Sequence, residues 1–295
     1  MVEQTDYRGD QAAGLRRLFG HQTTRVITFV GGSAGVGRST IVANLALALG
    51  RLGKEVLVLD ENTRGGVAAC YGALARNDLL QVVNREKGLE EVLLTVGPGV
   101  RVLPAVRAVS ELPRLTLDQQ DSLLAVLSGL VPCPDYILVD ASLDHPLGFS
   151  PFGLAAHETV IVVPPTAGAI TEAYALIKKV SLAYASRHYR VLVNRARAVE
   201  DGRTIFGNIA RVTHGRKLAH LEYAGCLPVD ERLSQAARLC QPAVGLYPES
   251  PAAKLLRTLA GNILDWPVNE AAGLEQFLQQ LLHLSQRYDP VAIYA

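Results

Sequence analysis

The stretch that decides the fold is Val26-Ile-Thr-Phe-Val30, which runs directly into Gly31-Gly-Ser-Ala-Gly-Val-Gly-Arg-Ser-Thr40. The first run is apolar and rich in β-branched residues, the second is rich in glycine, and an amphipathic segment begins at Ile41. This order predicts a buried strand, a phosphate-binding loop and a helix. The loop has the spacing G-x-x-x-x-G-K-S/T with one change, because Arg38 stands at the lysine position.

The residue types of this loop suit phosphate binding. Glycines let the backbone curl so that several N–H groups point at phosphate oxygens, and the following helix adds the positive end of its dipole. Ser39 stands where a hydroxyl ligand of Mg²⁺ would lie. The alternative is a glycine-rich turn that binds nothing. The candidate nucleotide-binding residues of the loop are Gly32, Ser33, Ala34, Gly35, Val36, Gly37, Arg38, Ser39 and Thr40.

Composition argues against several classes of protein. Lys and Arg total 29 against 28 for Asp and Glu, so the whole-chain charge gives no case for nucleic-acid binding. The four cysteines lie far apart without metal-ligand spacing, which is typical of buried thiols in a reducing compartment. Neither a signal-peptide core nor a membrane-spanning run is present in the sequence. We therefore expect a cytoplasmic protein, which leaves contact with a membrane surface open.

Apolar runs alternate with helical periodicity along most of the chain. Further strands are predicted at residues 54–60, 100–104, 136–140, 159–163, 189–194 and 221–227, and helices at residues 41–52, 67–84, 86–94, 117–130, 171–185, 201–214, 231–239 and 252–264. Strands that are apolar throughout indicate a parallel sheet covered on both faces. We therefore expect a three-layer, doubly wound α/β fold of the P-loop type that binds its ligand at the carboxyl ends of the strands.

Two segments fall outside this alternation, so we divide the chain into an arm (residues 1–22), a P-loop domain (23–266) and a tail (267–295). Residues 10–19 have the pattern of a short helix, which either packs on the domain or is offered to a partner. Residues 273–287 place a leucine and phenylalanine stripe opposite glutamines. Such a helix either docks on its own domain, forms a dimer contact or lies on a lipid surface.

The order of motifs resembles the MinD/ParA group of deviant-Walker P-loop ATPases, and within it the flagellar-number regulators of the FlhG or FleN type. Residues 10–16 are similar to that branch's helix D-Q-A-x-x-L-R, which engages the signal-recognition-type GTPase FlhF. Residues 171–178 resemble its T-D-A-Y-A-L-I-K helix, and residues 225–251 resemble its closing segment. The resemblance covers residues 10 to 265 or so.

This resemblance implies ATP or ADP with Mg²⁺ as cofactors and a nucleotide-dependent homodimer. It also implies a role in flagellar placement or number, with an FlhF-type GTPase, flagellar basal-body proteins or transcription regulators as partners. The partner-binding residues would be Asp10, Gln11, Leu15 and Arg16. The adenine would contact Asn194, Arg195, Pro228, Val229 and Asp230. A membrane-bound fraction would attach to the inner face of the cell membrane through the tail.

The chain departs from the family pattern around the γ-phosphate. Ser33, Arg38 and Asn62 stand where the family has lysine, lysine and aspartate, and Asp144 replaces the glycine of the D-x-x-A-G element that begins at Asp140. An asparagine can position a water molecule but cannot accept its proton. Asp60 and Asn62 are the candidate catalytic residues, and the candidate Mg²⁺ ligands are Ser39, Asp60 and Asp140.

Three functional hypotheses follow. The chain is a slow ATPase switch whose dimer forms with ATP, or a scaffold that presents the residue 10–19 helix without turnover. The third hypothesis is an accessory or partitioning protein of another MinD/ParA type. Loss of both lysines and of the acid predicts slow or absent hydrolysis, because a single transition-state cation is worth roughly 10³–10⁵ in rate.

Overall fold

The computed structural model describes residues 24–62, 66–142, 150–184, 186–267 and 273–287. The predictions for the arm, including Asp10, Gln11, Leu15 and Arg16, and for Asp144 lie outside the described residues.

The described residues contain one eight-stranded sheet with the order β3-β4-β2-β5-β1-β6-β7-β8. Its neighbours are parallel except for the antiparallel pair of β3 and β4. The strands are β1 Arg25–Gly31, β2 Val56–Asp60, β3 Leu94–Gly97, β4 Val100–Pro104, β5 Tyr136–Asp140, β6 Glu158–Val163, β7 His188–Ala196 and β8 His220–Pro228. The predicted α/β class is confirmed.

Helices cover both faces of the sheet. They are α1 Arg38–Arg51, α2 Val67–Cys70, α3 Leu79–Val83, α4 Val106–Glu111, α5 Leu117–Ser128, α6 Pro151–Ala155, α7 Ala167–Tyr184, α8 Val199–Gly215, α9 Glu231–Arg238, α10 Ala243–Leu246, α11 Pro251–Leu264 and α12 Leu274–Arg287. On one face α1, α2, α10 and α11 bury their apolar side chains, and on the other face α3 to α8 and α12 do so. Strands buried on both faces explain the apolar runs of the sequence.

The register of the central strands sets where the polar side chains meet. Strand β1 lies between β5 and β6, so the loop that follows Gly31 leaves the middle of the sheet. Asp60 at the end of β2 and Asp140 at the end of β5 are directly paired residues. Parallel strands bring their carboxyl ends to one edge, and these two acids therefore lie beside the glycine-rich loop.

The region between β2 and β4 differs from its prediction. The prediction of one helix over residues 67–84 is wrong, because Asp78 caps a new helix, α3, by accepting the N–H of Leu80 at 3.0 Å. Asp78 also accepts the backbone N–H groups of Arg107 and Ala108, a tertiary contact that sequence periodicity does not show. The helix predicted over 86–94 is also wrong. It is a single 3₁₀ turn at Leu89–Glu91, and Leu94 begins the antiparallel strand β3.

The tail helix α12 docks on its own domain. Phe277 and Leu281 are fully buried, and the Phe277 ring stacks on Phe152 of α6 with centroids 6.5 Å apart. Gln276 and Gln280 face solvent. The apolar stripe is thus covered by protein, as the self-docking alternative predicts. A search of the described residues finds no helix that is both long and apolar enough to cross a bilayer.

Replacing Phe277 by alanine tests this docking. We expect Phe277→Ala to lower the free energy of unfolding by about 3–5 kcal/mol, because it empties a fully buried aromatic site. Urea unfolding followed by far-UV circular dichroism measures the loss. The exposed neighbour Gln276 provides the matched control, and Gln276→Ala should stay within about 0.5 kcal/mol of the parent. Equal stabilities for the two variants would contradict the docked position of α12.

Candidate functional site

The glycine-rich loop between β1 and α1 has the backbone shape that phosphate binding requires. Gly37, the N-cap of α1, has φ of +89°, and a Cβ at this position would lie 2.5 Å from the amide nitrogen of Asn194. A Cβ on Gly32 would lie 2.6 Å from the backbone nitrogen of Ala173 in α7. Both positions therefore require glycine, one for its φ and both for lack of space. The loop sits at the N-terminus of the 14-residue helix α1, so the helix dipole and free N–H groups face it.

Arg38, at the position of the family's lysine, is turned towards the ends of the neighbouring strands. Its Nε donates to Oδ1 of Asp140 at 2.5 Å, and its Nη2 donates to Oδ1 of Asn62 at 2.6 Å. The side chains of Arg38 and Asp140 are 8% and 0% exposed, so this is a buried ion pair. The cation of the loop is thus already neutralised by the chain's own carboxylate.

Asn62 completes the network in a way that an aspartate could not. Its Nδ2 donates to Oδ2 of Asp140 at 2.8 Å and to the main-chain oxygen of the same residue at 2.9 Å. An amide can accept from Arg38 and donate to Asp140 at once, whereas a carboxylate only accepts. With Asp60 and Asp140 already present, a third acid here would add like-charge repulsion. The Asn62 replacement therefore fits the turned Arg38.

Asp60 is the second acid at this edge and is also engaged by its own chain. Its Oδ1 accepts from the backbone N–H of Asn62 at 3.2 Å, and its Oδ2 accepts from that of Ala68 at 3.0 Å. Burial, and next the charge of Asp140, raises the pKa of Asp60 to about 6. The raised pKa would suit a base, but both oxygens of Asp60 accept backbone N–H groups, so neither is directed at a water molecule in this state.

These contacts decide whether the predicted Mg²⁺ ligands fit a metal ion. Both carboxylate oxygens of Asp60 and both of Asp140 accept hydrogen bonds from the protein. Within the part of the chain that the structure describes, the Ser39 hydroxyl forms no such hydrogen bond. The described residues also hold no cluster of three or more His, Cys, Asp or Glu side chains arranged for a metal. In this conformation the set does not fit Mg²⁺, because Arg38 occupies the place of a cation beside Asp140.

Glu61 is a site residue that the sequence analysis missed. It is 1% exposed, and its carboxylate accepts the backbone N–H of Ser142 at 2.9 Å and the hydroxyl of Ser150. Burial raises its pKa to about 7, against the opposing effect of the Ser150 hydrogen bond. The side chain ties the end of β2 to the residues after β5 and to the start of α6. The sequence indicated this residue only as an acid between Asp60 and Asn62, at a position that the family pattern leaves variable.

The residues predicted for the adenine lie at the ends of β7 and β8, as the alternation of elements requires. Asn194 is buried, and its Nδ2 donates to the main-chain oxygen of Val36 at 2.7 Å while its Oδ1 has no partner among the described residues. Arg195 is exposed, with φ of +60°. An acceptor that is buried without a partner beside the phosphate loop suits an amino group of a base.

The loop after β8 is only partly available for a base. Pro228 is half-buried and Val229 is 65% exposed. Asp230 instead caps α9 through Oδ1, which accepts from Arg232 and Leu233, and holds Ala252 through Oδ2. The side chain of Asp230 is therefore structural, which leaves backbone groups of this loop to contact a ligand.

The remaining loop positions differ in exposure. Val36 is buried, Ser33, Ser39 and Thr40 are half-buried, and Ala34 and Gly35 are exposed. Ser33 carries no charge, so the loop's exposed side offers backbone N–H groups rather than a cation. The arrangement can accept phosphate through the backbone, but its one buried cation, Arg38, is turned away from that loop.

The raised pKa of Glu61 predicts a pH-dependent stability. A carboxyl whose pKa is higher when folded costs stability as it ionises, so the free energy of unfolding should fall from about pH 4.5 and level off above about pH 7. Ionisation of Glu61 should lower the free energy of unfolding by at most about 3 kcal/mol, because folding raises its pKa by roughly 2.5. Asp60 acts in the same direction.

The isosteric variant Glu61→Gln isolates that share. In urea unfolding between pH 5 and pH 8, the free energy of unfolding should fall more steeply with rising pH for the parent than for Glu61→Gln, because the amide has no charge to bury. Asp60 is present in both proteins and cancels in the difference. Parallel pH profiles would contradict the burial of an ionisable Glu61.

Comparison with known proteins assigns this geometry to a family. Residues 27–241 match the family described as the CobQ/CobB/MinD/ParA nucleotide binding domain. The chain is 30% identical to the antiactivator FleN of Pseudomonas aeruginosa over 271 residues, covering 91% of this chain and 97% of FleN. It is 28% identical to the flagellum site-determining protein YlxH of Helicobacter pylori, covering 85% of this chain and 81% of YlxH.

Solved structures support the same fold. The MinD cell division protein of Aquifex aeolicus superposes with a TM-score of 0.65 at 23% identity, covering 83% of this chain and 99% of that one. The septum site-determining protein MinD of Pyrococcus horikoshii, solved with Mg-ADP, gives 0.58 at 23% identity, covering 81% and 96%. The chain belongs to the MinD/ParA family of nucleotide-binding P-loop proteins, in its FlhG/FleN-type branch.

Proposed function

We propose that this chain regulates the number or placement of flagella as a MinD-type protein whose own residues hold its nucleotide site in a closed, slowly hydrolysing state. The observation that carries the flagellar part is the similarity to FleN, which extends over 97% of that protein's length. The observation that carries the closed state is the buried network of Arg38, Asp140 and Asn62.

The ion pair sets a cost on nucleotide binding. For Arg38 to reach a phosphate it must leave Asp140, which would then be a buried charge without its partner. Breaking a buried pair in this way costs about 3–5 kcal/mol. A bound triphosphate also meets the negative charge of Asp140 and the uncharged Ser33. The cost of breaking the ion pair and the repulsion by Asp140 support weak binding of ATP. The carboxylate oxygens of Asp60 and Asp140 already accept hydrogen bonds, which supports weak binding of Mg²⁺.

Hydrolysis needs groups that this site does not supply. No lysine stands at position 33 to reach across to a partner's phosphates, and Asn62 cannot take a proton from water. A slow switch and a non-cycling scaffold both remain consistent with these residues. They differ in one observable, because only the switch changes its oligomeric state with ATP.

Turnover with Mg-ATP tests the closed site. The variant Ser33→Lys/Arg38→Lys/Asn62→Asp carries the family's residues and provides the comparison. We expect its turnover to exceed that of the parent by about 10³-fold or more, the scale attributed to a transition-state cation. Thermal unfolding verifies that the variant folds. Equal rates in the two proteins would contradict the proposal that these positions limit hydrolysis.

Calorimetric titration tests the ion pair itself. Asp140→Asn keeps the shape of the side chain and removes its charge, so Arg38 is released without a buried anion remaining. We expect ATP without Mg²⁺ to bind this variant at least about tenfold more tightly than the parent, since 1.4 kcal/mol suffices for that ratio. Light scattering with and without ATP then distinguishes the dimerising switch from the scaffold.

We further propose that the arm engages an FlhF-type GTPase through Asp10, Gln11, Leu15 and Arg16. The similarity of residues 10–16 to the activator helix of FlhG/FleN-type proteins supports this partner. The other proposed partners are transcription regulators and flagellar basal-body proteins, in keeping with the description of the Pseudomonas relative as an antiactivator.

A pull-down with a purified FlhF-type GTPase tests the arm. Leu15→Asp should abolish binding, because it places a charge on the apolar side of the predicted helix. Gln22→Asp introduces the same charge outside the matched motif and should leave binding unchanged. Retention of the GTPase by Leu15→Asp would exclude this mode of engagement.

A further inference from the structure

Strands β7 and β8 each begin with a histidine at the amino end of the sheet. His188 and His220 are directly paired residues of these two parallel strands, so their side chains lie on the same face. Arg190 follows His188 by two residues and shares that face, where its guanidinium lies 4.1 Å from the ring of Trp266. Because the glycine-rich loop lies at the carboxyl ends of the strands, this histidine pair lies at the opposite edge of the sheet.

The two imidazoles have the separation that a shared metal ion requires. Their ring centres are 5.6 Å apart, and the planes of the rings are inclined by 57°. Two imidazoles that bind one Zn²⁺ through nitrogens about 2.1 Å from the ion have ring centres roughly 5–6 Å apart. Both residues are exposed, so their side chains can rotate to direct one nitrogen each at the ion. The strands themselves need not move.

The imidazole nitrogens are not committed to other groups. Within the residues that the structure describes, the His188 side chain has neither a hydrogen bond nor an ion pair. Nε2 of His220 lies 4.0 Å from Oε1 of Glu222, which is longer than a hydrogen bond. Oε2 of Glu222 accepts from Arg190, whereas its Oε1 accepts no hydrogen bond from the described residues. Oε1 is therefore available to accept from a water molecule bound to the ion.

The charged groups around the histidine pair balance one another. The two histidines line a cavity of about 440 Å³ whose other lining residues include Arg190, Glu158 and Glu222. Nε of Arg190 donates to Oε2 of Glu158 at 2.9 Å, and Nη1 of Arg190 donates to Glu222. Glu158 also pairs with Arg25. The charges of two guanidinium groups and two carboxylates thus cancel, so the imidazoles themselves have to hold the ion.

We propose that His188 and His220 together bind one divalent transition-metal ion of the Zn²⁺, Ni²⁺ or Cu²⁺ class. Imidazole nitrogens suit these ions, whereas Mg²⁺ and Ca²⁺ prefer carboxylate, carbonyl and water oxygens. Water completes the coordination, because the described residues hold no group of three His, Cys, Asp or Glu side chains arranged for a metal. The ion joins the edge strand β8 to β7, and the site is independent of the nucleotide site and of the proposed flagellar function.

Calorimetric titration of the full-length protein, without an affinity tag, tests the site with each metal chloride in turn. We expect one Ni²⁺ or Zn²⁺ per chain, tighter binding of Cu²⁺, and no binding of Mg²⁺ under the same conditions. Binding should weaken as the pH is lowered from about 7.5 to about 5.5, because protons compete for the imidazole nitrogens. Trp266 is the only tryptophan of the chain and lies against Arg190, so its fluorescence provides a second measurement.

Loss of either imidazole should remove the site. His188→Gln and His220→Gln should each weaken Ni²⁺ binding by at least about tenfold, the scale seen when a hydrogen-bond partner of a metal ligand is lost. His214→Gln is the matched control, because His214 is an exposed histidine at the end of α8 and should leave binding unchanged. Glu222→Gln should weaken binding by a smaller factor than either histidine variant, since Glu222 reaches the ion only through water.

Exposed thiols also bind ions of this class. Cys133 and Cys240 are exposed, and Cys133→Ser/Cys240→Ser should keep the affinity of the parent protein. Circular dichroism of each variant verifies that a loss of binding does not arise from unfolding.

Several results would overturn the proposal. These are parent-like affinity in both His188→Gln and His220→Gln, an equal loss in His214→Gln, or no binding of any of the three ions by the parent protein. Loss of binding in Cys133→Ser/Cys240→Ser would assign the ion to the thiols and would equally exclude the histidine pair.

Discussion

The buried ion pair between Arg38 and Asp140 is the interaction on which the site depends. Asp140 is fully buried at the end of a central strand, and an isolated carboxylate there would be unstable. Arg38 supplies the compensating charge from the first residue of α1, and Asn62 satisfies the second carboxylate oxygen. The pair is thus a structural element as well as a constraint on ligand binding, since either partner can leave only if another charge replaces it.

Further buried polar contacts extend this constraint across the edge of the sheet. Glu61, next to Asn62, binds the backbone of Ser142 and the hydroxyl of Ser150, which caps α6. The carboxyl ends of β2 and β5 and the start of α6 are therefore held by one connected set of polar groups. In open α/β sheets this edge, at the carboxyl ends of the strands, is where ligands bind. Here the same positions stabilise one another, and this supports a regulator that turns over slowly.

The tail helix α12 and the sheet-covering helices α7 and α8 differ in what their outer sides expose. The tail helix closes one face of the domain by burying Phe277 against Phe152, whereas α7 and α8 keep charged side chains on their exposed sides. Amphipathic sequence alone did not distinguish these roles. A helix with an apolar stripe became part of the core, while helices that pack well on the sheet kept a charged outer face.

The sequence by itself determined the fold class, the position of the phosphate loop and the edge at which the polar residues gather. Apolar runs that alternate with helices, and glycines at fixed spacing, are local signals, and they located β1, the loop and the ends of β2, β5, β7 and β8 without knowledge of contacts. The branch of the family was also readable from short motifs. The split of residues 67–84 into two helices was not, because Asp78 is recruited by backbone groups of residues 107 and 108.

Only the tertiary structure decided what the altered residues do together. Ser33, Arg38 and Asn62 each read as a loss when compared with a pattern, but the folded chain shows that Arg38 and Asn62 satisfy Asp140 in one network. The importance of Glu61 and the capping role of Asp230 also depend on partners distant in sequence. A hydrogen bond or buried ion pair joins two groups that are distant in the sequence, and these groups meet only when the folded chain places its strands side by side.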